Sequence, residues 1–343
     1  MGPEMNTVCK RRHPVRYESD VSFTEDGSAA MRISILTMIP EMFDSFLNGP
    51  IARRAADRGI ADIRIVDIKD YAGGCYRHID DSTYGGGAGM VMRAQPVLAA
   101  LKEALEPGEG IPEFPSPDPG AEGPESENGP AAGCEHSADP ETEYERWDAG
   151  ETPSGCGSGE REKQAGTCIA ALTPVGHLYR QETAVRYSQL EHLILICGHY
   201  EGMDERIYSH VDERISIGDY ILSGGEFAAQ VVADSVLRLL PGVLREESTA
   251  DESFCGRGLL EYPQYTRPAD LNGEKVPEVL LSGNHEEIRR WRLRESLRAT
   301  LTCRPDLLKN ISLSEEEKTI LQELSSQYCD GSLLSEEKKN AEL

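Results

Sequence analysis

The residues best placed to gather around a small flat ligand lie in three glycine-bearing loops, each of which follows an apolar run. They read Thr173-Pro174-Val175-Gly176, Gly198-His199-Tyr200-Glu201-Gly202 and Ser216-Ile217-Gly218-Asp219-Tyr220-Ile221-Leu222-Ser223-Gly224-Gly225. In such loops backbone N–H and C=O groups can read the edge of a base, while Tyr220, Ile221 and Leu222 supply apolar contact. Glu201 and Asp219 could orient a ribose, or serve as ordinary loop acceptors. A further loop, Tyr84-Gly85-Gly86-Gly87-Ala88-Gly89-Met90, is too rich in glycine for helix or strand, and reads either as a close approach to a ligand or as a surface turn. No G-x-G-x-x-G stands at a strand-to-helix junction, and there is no G-K-[ST] loop or H-E-x-x-H pair. Those gaps argue against a dinucleotide oxidoreductase, a P-loop enzyme and a zinc hydrolase.

Strands must bring these loops together. Alternation begins at Met31, where Ile33 and Ile35 read as a strand, and Pro40-Glu41-Met42-Phe43 opens a helix. A second strand spans 61–68. Buried strands follow at Cys168-Ile169-Ala170-Ala171-Leu172 and Leu193-Ile194-Leu195-Ile196-Cys197, with a helix over 180–190 between them. The alternation predicts an α/β fold with an open parallel sheet, whose strand ends gather the loops. Over 226–240, Phe227, Ala228, Val231, Val232, Val236 and Leu239 form a broad apolar helical face that Pro241-Gly242 stops. Residues 245–254 read as a linker, 255–328 as a smaller helical region, and 329–343 as a frayed tail. Asn284 with Glu287, and Ser314 with Glu317, carry helix-capping signals.

Of the 343 residues, 38% are apolar, enough for one large domain or two modest ones. No apolar run is long enough to span a bilayer. The polar extension 1–30 lacks a signal-peptide core, and the nine cysteines show neither paired nor metal-ligand spacing, which points to a reducing, cytoplasmic setting. The net charge of −25 argues against a nucleic-acid partner, but 106–166 alone supplies −13 of it. That stretch is rich in Pro, Gly, Ser and Glu, and 107–165 reads as a disordered acidic insertion within one domain. The remainder leaves room for a local basic surface.

Five ordered motifs carry a family resemblance. They are the run from Met31 to Phe43, the glycine loop 84–90, Tyr200-Glu201-Gly202-Met203-Asp204-Glu205-Arg206, the stretch 216–226, and Ser282-Gly283-Asn284-His285. Together they resemble bacterial tRNA (guanine-N1)-methyltransferases of the knotted SPOUT superfamily, which modify guanine 37 beside the anticodon. The resemblance implies a deep trefoil knot in the N-terminal domain, 31–244, an exception to the usual avoidance of knots. It also implies a homodimer whose active sites are shared between subunits, and a small helical C-terminal domain that grips tRNA. S-adenosylmethionine is the implied methyl donor. Its implied contacts are Leu172, Thr173, Pro174, Gly198, Tyr200, Glu201, Gly202, Ser216, Ile217, Gly218, Asp219, Tyr220, Ile221, Leu222, Gly224 and Gly225. The family also admits Mg²⁺ as an aid to transfer, although no residue pattern here points to a metal site.

Guanine N1 carries a proton and is a poor nucleophile, so transfer calls for a carboxylate base and a cation facing O6. Matching positions put Arg238 in the second role. The family's aspartate before Ser-Phe is here Glu252, with Asp251 one residue earlier; both are candidates, and the shortened linker inclines the reading toward Asp251. Other departures are Val175 for a glutamine, His199 for an arginine, Ala88 for a proline and Ser82-Thr83 for Arg-Pro. For RNA, Arg289, Arg290, Arg292, Arg294 and Arg298 form the strongest basic cluster, with Asn284 or His285 near the anticodon. Trp291 reads as core in preference to a stacking surface. Two other functions stay open: a knotted methyltransferase with a different RNA target, and an RNA-binding protein that has lost transfer.

Overall fold

A computed structural model of the chain describes residues 31–72, 78–86, 89–105, 166–245, 252–256 and 258–329. The expectations for 1–30, for the insertion 107–165, for Asp251 and for nearly all of the tail lie outside the described residues.

Five strands form one parallel sheet, in the spatial order β2 (Ala61–Asp67), β1 (Met31–Thr37), β6 (His192–Cys197), β5 (Thr167–Leu178) and β7 (Glu213–Ser216). Strand β1 (Met31–Thr37) pairs with β2 (Ala61–Asp67), Ile33 opposite Ile63. Between them the predicted helix is a 3₁₀ turn, Pro40–Phe43, then a four-residue helix α1 (Asp44–Leu47), before α2 (Pro50–Asp57). The break has a physical cause: Pro50 has no N–H to continue a helix but suits the start of one. A two-residue ladder, β3 (Asp80–Asp81) with β4 (Val91–Met92), clasps the base of the 84–90 loop, and α3 (Ala94–Leu105) follows.

The chain then forms β5 (Thr167–Leu178), α4 (Gln181–Tyr187), β6 (His192–Cys197), α5 (Glu205–Tyr208), β7 (Glu213–Ser216) and α6 (Glu226–Leu237). Every residue of β6 is buried, as a strand covered on both faces should be. Alternation sends Ile33, Ile35, Leu193 and Leu195 toward α2 and α6, while Leu36, Ile194 and Ile196 pack toward α3 and α5. Within the sheet, His192 Nε2 lies 2.9 Å from Ser34 Oγ. Burial pushes the imidazole down to about 3, assisted by the charges of Arg32 and Arg64.

The α6 helix stops earlier than its apolar pattern predicts. The N–H groups of Leu239 and Leu240 bond to Val236 and Leu237, three residues back, so the last turn tightens before Pro241-Gly242 ends it. Its apolar face is also wider than one chain covers. Ala229, Val232, Ala233, Val236 and Leu237 are fully buried, but Phe227 and Val231 remain 50% and 49% exposed.

Beyond residue 252 lie a short hairpin, β8 (Asp270–Leu271) with β9 (Glu274–Lys275), and three helices: α7 (Glu278–Leu281), α8 (His285–Cys303) and α9 (Glu315–Cys329). Leu259, Leu297, Ile320 and Leu324 form their buried cluster. The capping signals do what their chemistry allows. Asn284 Oδ1 accepts from the N–H groups of Glu286 and Glu287 at 3.2 and 3.4 Å. Ser314 and Glu317 bond each other's backbone N–H reciprocally. Among the described residues no helix is long and apolar enough to cross a membrane, and Cys168, Cys197, Cys255 and Cys303 are free thiols.

Candidate active site

A cavity of about 440 Å³ opens at the ends of β5, β6 and β7. Its first wall is a detour within β5. Leu172 and His177 both lie opposite Ile215 of β7, so residues 173–176 leave the ladder and return to it. Gly176 permits the return, because a Cβ there would run into the backbone of Arg214 and Ile215. The second and third walls meet where Gly225 N–H donates to Gly198 C=O at 2.8 Å and His199 bridges Gly224. At Gly225 a Cβ would lie 2.8 Å from Cys197 Cα, so only glycine lets the two segments close.

The predicted donor contacts line this cavity except Asp219, which belongs to the same loop but is not part of the wall. Val175 and His199, from the same predicted loops, also line it, as do Met203, Glu205, Tyr208 and Arg214, which the sequence does not single out as contacts. Arg214 Nη2 donates to Glu205 Oε1 at 2.7 Å and its guanidinium lies over the Tyr208 ring at 3.9 Å, which fixes that edge of the wall. Tyr200 holds a left-handed backbone, φ +57°, a conformation that concentrates at functional sites. Its loop is pinned by Glu201 N–H to Met90 C=O at 3.1 Å and by Met92 N–H to Gly202 C=O at 3.0 Å. The glycine loop is thereby anchored beside the cavity. Burial, then the neighbouring Asp80 carboxylate, push the Tyr200 hydroxyl above its usual range.

Beneath the cavity lies a buried network that sequence reading missed. Glu226, only 1% exposed, accepts from Thr37 Oγ1 at 2.8 Å, and its other oxygen is 3.5 Å from His199 Nε2. The carboxylate sits in the first turn of α6, where unpaired N–H groups favour negative charge. Thr37 Oγ1 in turn accepts from Ile39 N–H at 3.0 Å. The end of β1, the His199 loop and the start of α6 are thus tied at one point. A glutamate opening an apolar helix after Gly-Gly was the available signal.

The other predicted site residues occur at the far end of α6. Arg238 caps that helix and its Nη2 donates to Glu252 Oε1 at 2.6 Å, both side chains being about one-third exposed. Neither residue lines the cavity. Twelve helical residues separate the two ends of α6, a rise of roughly 18 Å. The segment after Glu252 is held in place: Ser253 Oγ accepts from Glu261 N–H at 2.9 Å, and Gln181 Nε2 lies 3.5 Å from Cys255 Sγ. Burial, then the Glu252 charge, push the Cys255 thiol up.

The expected basic cluster is largely neutralised. Arg289 pairs with Glu286 and Glu316 at 2.7 and 3.1 Å, Arg294 with Glu323 at 3.0 Å, and Arg298 with Glu295. Arg292 turns the other way, over the ring of Tyr262 at 4.8 Å. Trp291 is half-buried at the edge of a second cleft and is not sealed in the core. Among the described residues, no three or more His, Cys, Asp or Glu side chains gather as a metal site.

Comparison with known proteins gives this geometry a context. The family model described as tRNA (Guanine-1)-methyltransferase TrmD matches residues 31–116 and 159–310. A tRNA (guanine-N(1)-)-methyltransferase of Limosilactobacillus fermentum is 42% identical over 294 residues, covering 86% of this chain and 96% of the relative. Proteins of the same name from Moorella thermoacetica and Geobacillus kaustophilus are 41% and 42% identical, over 86% and 85% of this chain and 97% and 98% of theirs. With both cavity and matched motifs in hand, the chain belongs to the tRNA (guanine-1)-methyltransferase family.

Proposed function

We propose that the protein transfers a methyl group from S-adenosylmethionine to N1 of guanine 37 in tRNA, through a knotted N-terminal domain and a homodimer with shared sites. The cavity fits the donor: its size lies within the roughly 300–1,000 Å³ of small-molecule sites. Leu172, Pro174, Ile217 and Leu222 offer apolar surface to a base, and Glu201 brings negative charge toward a cationic ligand. When bound, the donor supplies a methyl group already activated by a positive sulfur.

The chain's remaining task is at the guanine. One observation carries the chemical part of the reading, the contact between Arg238 and Glu252. A guanine edge presents an N1–H donor next to an O6 acceptor; this pair presents an acceptor next to a donor, and so complements it. The carboxylate takes the N1 proton as the N1–methyl bond forms and the methyl–sulfur bond breaks toward sulfur. The guanidinium steadies charge developing at O6. This geometry favours Glu252 as the base, with Asp251 the neighbouring candidate.

The distance along α6 supports sites built from two chains, one giving the cavity and the other giving Arg238 and Glu252. The half-exposed Phe227 and Val231, with the exposed Ile221, are apolar surface for the second copy. The helical region after residue 255 completes the reading as a tRNA-holding part. Incubation with labelled donor and unmodified tRNA bearing guanine 37, followed by nucleoside mapping, tests the whole. N1-methylguanine at that position is expected. Methylation elsewhere, or tRNA binding without transfer at saturating donor, overturns it.

A further inference from the structure

The face of α8 that turns away from α9 borders a cleft of about 350 Å³ between that helix and residues 262–281. Tyr265 and Trp291 stand there with ring centroids 6.3 Å apart, and Arg292 lies over Tyr262 at the margin. Tyr265 is 48% exposed and Leu281 62% exposed, so two of the larger apolar groups of the cleft face solvent. Helix spacing explains the division of labour: Ile288, Trp291 and Arg292 share this face, while Arg289 and Arg294 turn toward the carboxylates of α9. Arg267, exposed at the rim, has no acidic partner among the described residues. Aromatic planes beside unneutralised guanidinium groups are what an unpaired nucleotide requires: a surface for the base and cations for its phosphates.

We propose that this cleft binds one unpaired nucleotide of the tRNA, its base against Tyr265 and Trp291 and its phosphates near Arg267 and Arg292. The assignment rests on the tRNA reading above and adds a contact point made of residues other than those proposed to act on the guanine. It also moves the RNA grip from the paired arginines of α8 to the opposite face of the same helix.

The chain has two tryptophans, so Trp147→Phe leaves Trp291 as the sole indole reporter in the full-length protein. Titration of that protein with unmodified tRNA should quench Trp291 emission. In the same background Tyr265→Leu keeps apolar bulk but loses a stacking face. It should weaken tRNA binding roughly 5- to 100-fold, the range for one stacked base, with donor affinity and urea midpoint unchanged. Arg267→Ala should lower the salt slope of tRNA binding by about one. Unchanged emission at saturating tRNA, or parental tRNA affinity in Tyr265→Leu, overturns the cleft assignment. Quenching by tRNA in a protein that transfers no methyl group would support the cleft while overturning the catalytic reading.

Discussion

The two ends of α6 are built on opposite plans. At its start, Glu226 is buried, both of its oxygens face partners from distant segments, and the surrounding loops close a cavity. At its end, Arg238 and Glu252 hold one another, each about one-third exposed, outside the lining of that cavity. The first end is pre-organised within one chain. In the proposed reaction the second is the pair that meets the guanine and, in the proposed dimer, a neighbouring chain. Binding a donor and moving a proton therefore make different demands: rigid backbone for the one, a polar pair that can exchange partners for the other.

Variants can break this contrast. The largest effect is expected from Glu252→Gln, which should slow single-turnover transfer by about 10²- to 10⁴-fold while leaving donor affinity intact. Asp251→Asn should cost less, and the reverse order would move the base to Asp251. Arg238→Ala should lower the same rate by about 10²- to 10³-fold; near-parental transfer would remove it from the chemistry. Mixing Arg238→Ala chains with chains disabled in the cavity by Gly225→Val should restore part of the activity that neither homodimer has. Failure to restore any would count against sites shared between chains.

At the other end, Glu226→Gln should weaken donor binding about tenfold with a smaller effect on the rate at saturating donor, since a charged hydrogen-bonded group is replaced by a neutral one. Equal losses in affinity and rate would contradict a purely positioning role. The effect least visible in activity concerns stability alone. The folded chain keeps His192 neutral to about pH 3, whereas an unfolded chain protonates it near its ordinary value of about 6.5. The His192 contribution is therefore intact above about 6.5 and is lost as pH falls toward 3, by up to about 1.4 kcal/mol per unit. Urea titrations at several pH values should show a shallower acid loss in His192→Gln.

What the sequence revealed depended on distance along the chain. The β6 strand was legible because a five-residue apolar run ended by a glycine loop is too short for a buried helix and suits a strand covered on both faces, and the cavity loops were legible from their glycines. Capping by Asn284 and by Ser314 with Glu317 is local chemistry and was read correctly. Thr37 and Glu226 are 189 residues apart, so nothing local could pair them. The α8 arginines show both cases. The Glu286–Arg289 spacing was visible, but Glu316 and Glu323 arrive only when α9 packs alongside. The apolar face of α6 was read correctly as a pattern, yet pattern alone cannot say that Phe227 and Val231 stay uncovered in one chain.

The detour in β5 carries one more consequence. Because residues on both sides of 173–176 are registered against the same Ile215, a single inserted residue has to bulge further from the ladder or shift one flank. A shift by one would turn the outgoing strand's side chains to the wrong face of the sheet. This wall of the cavity therefore tolerates a new side chain more readily than a new register.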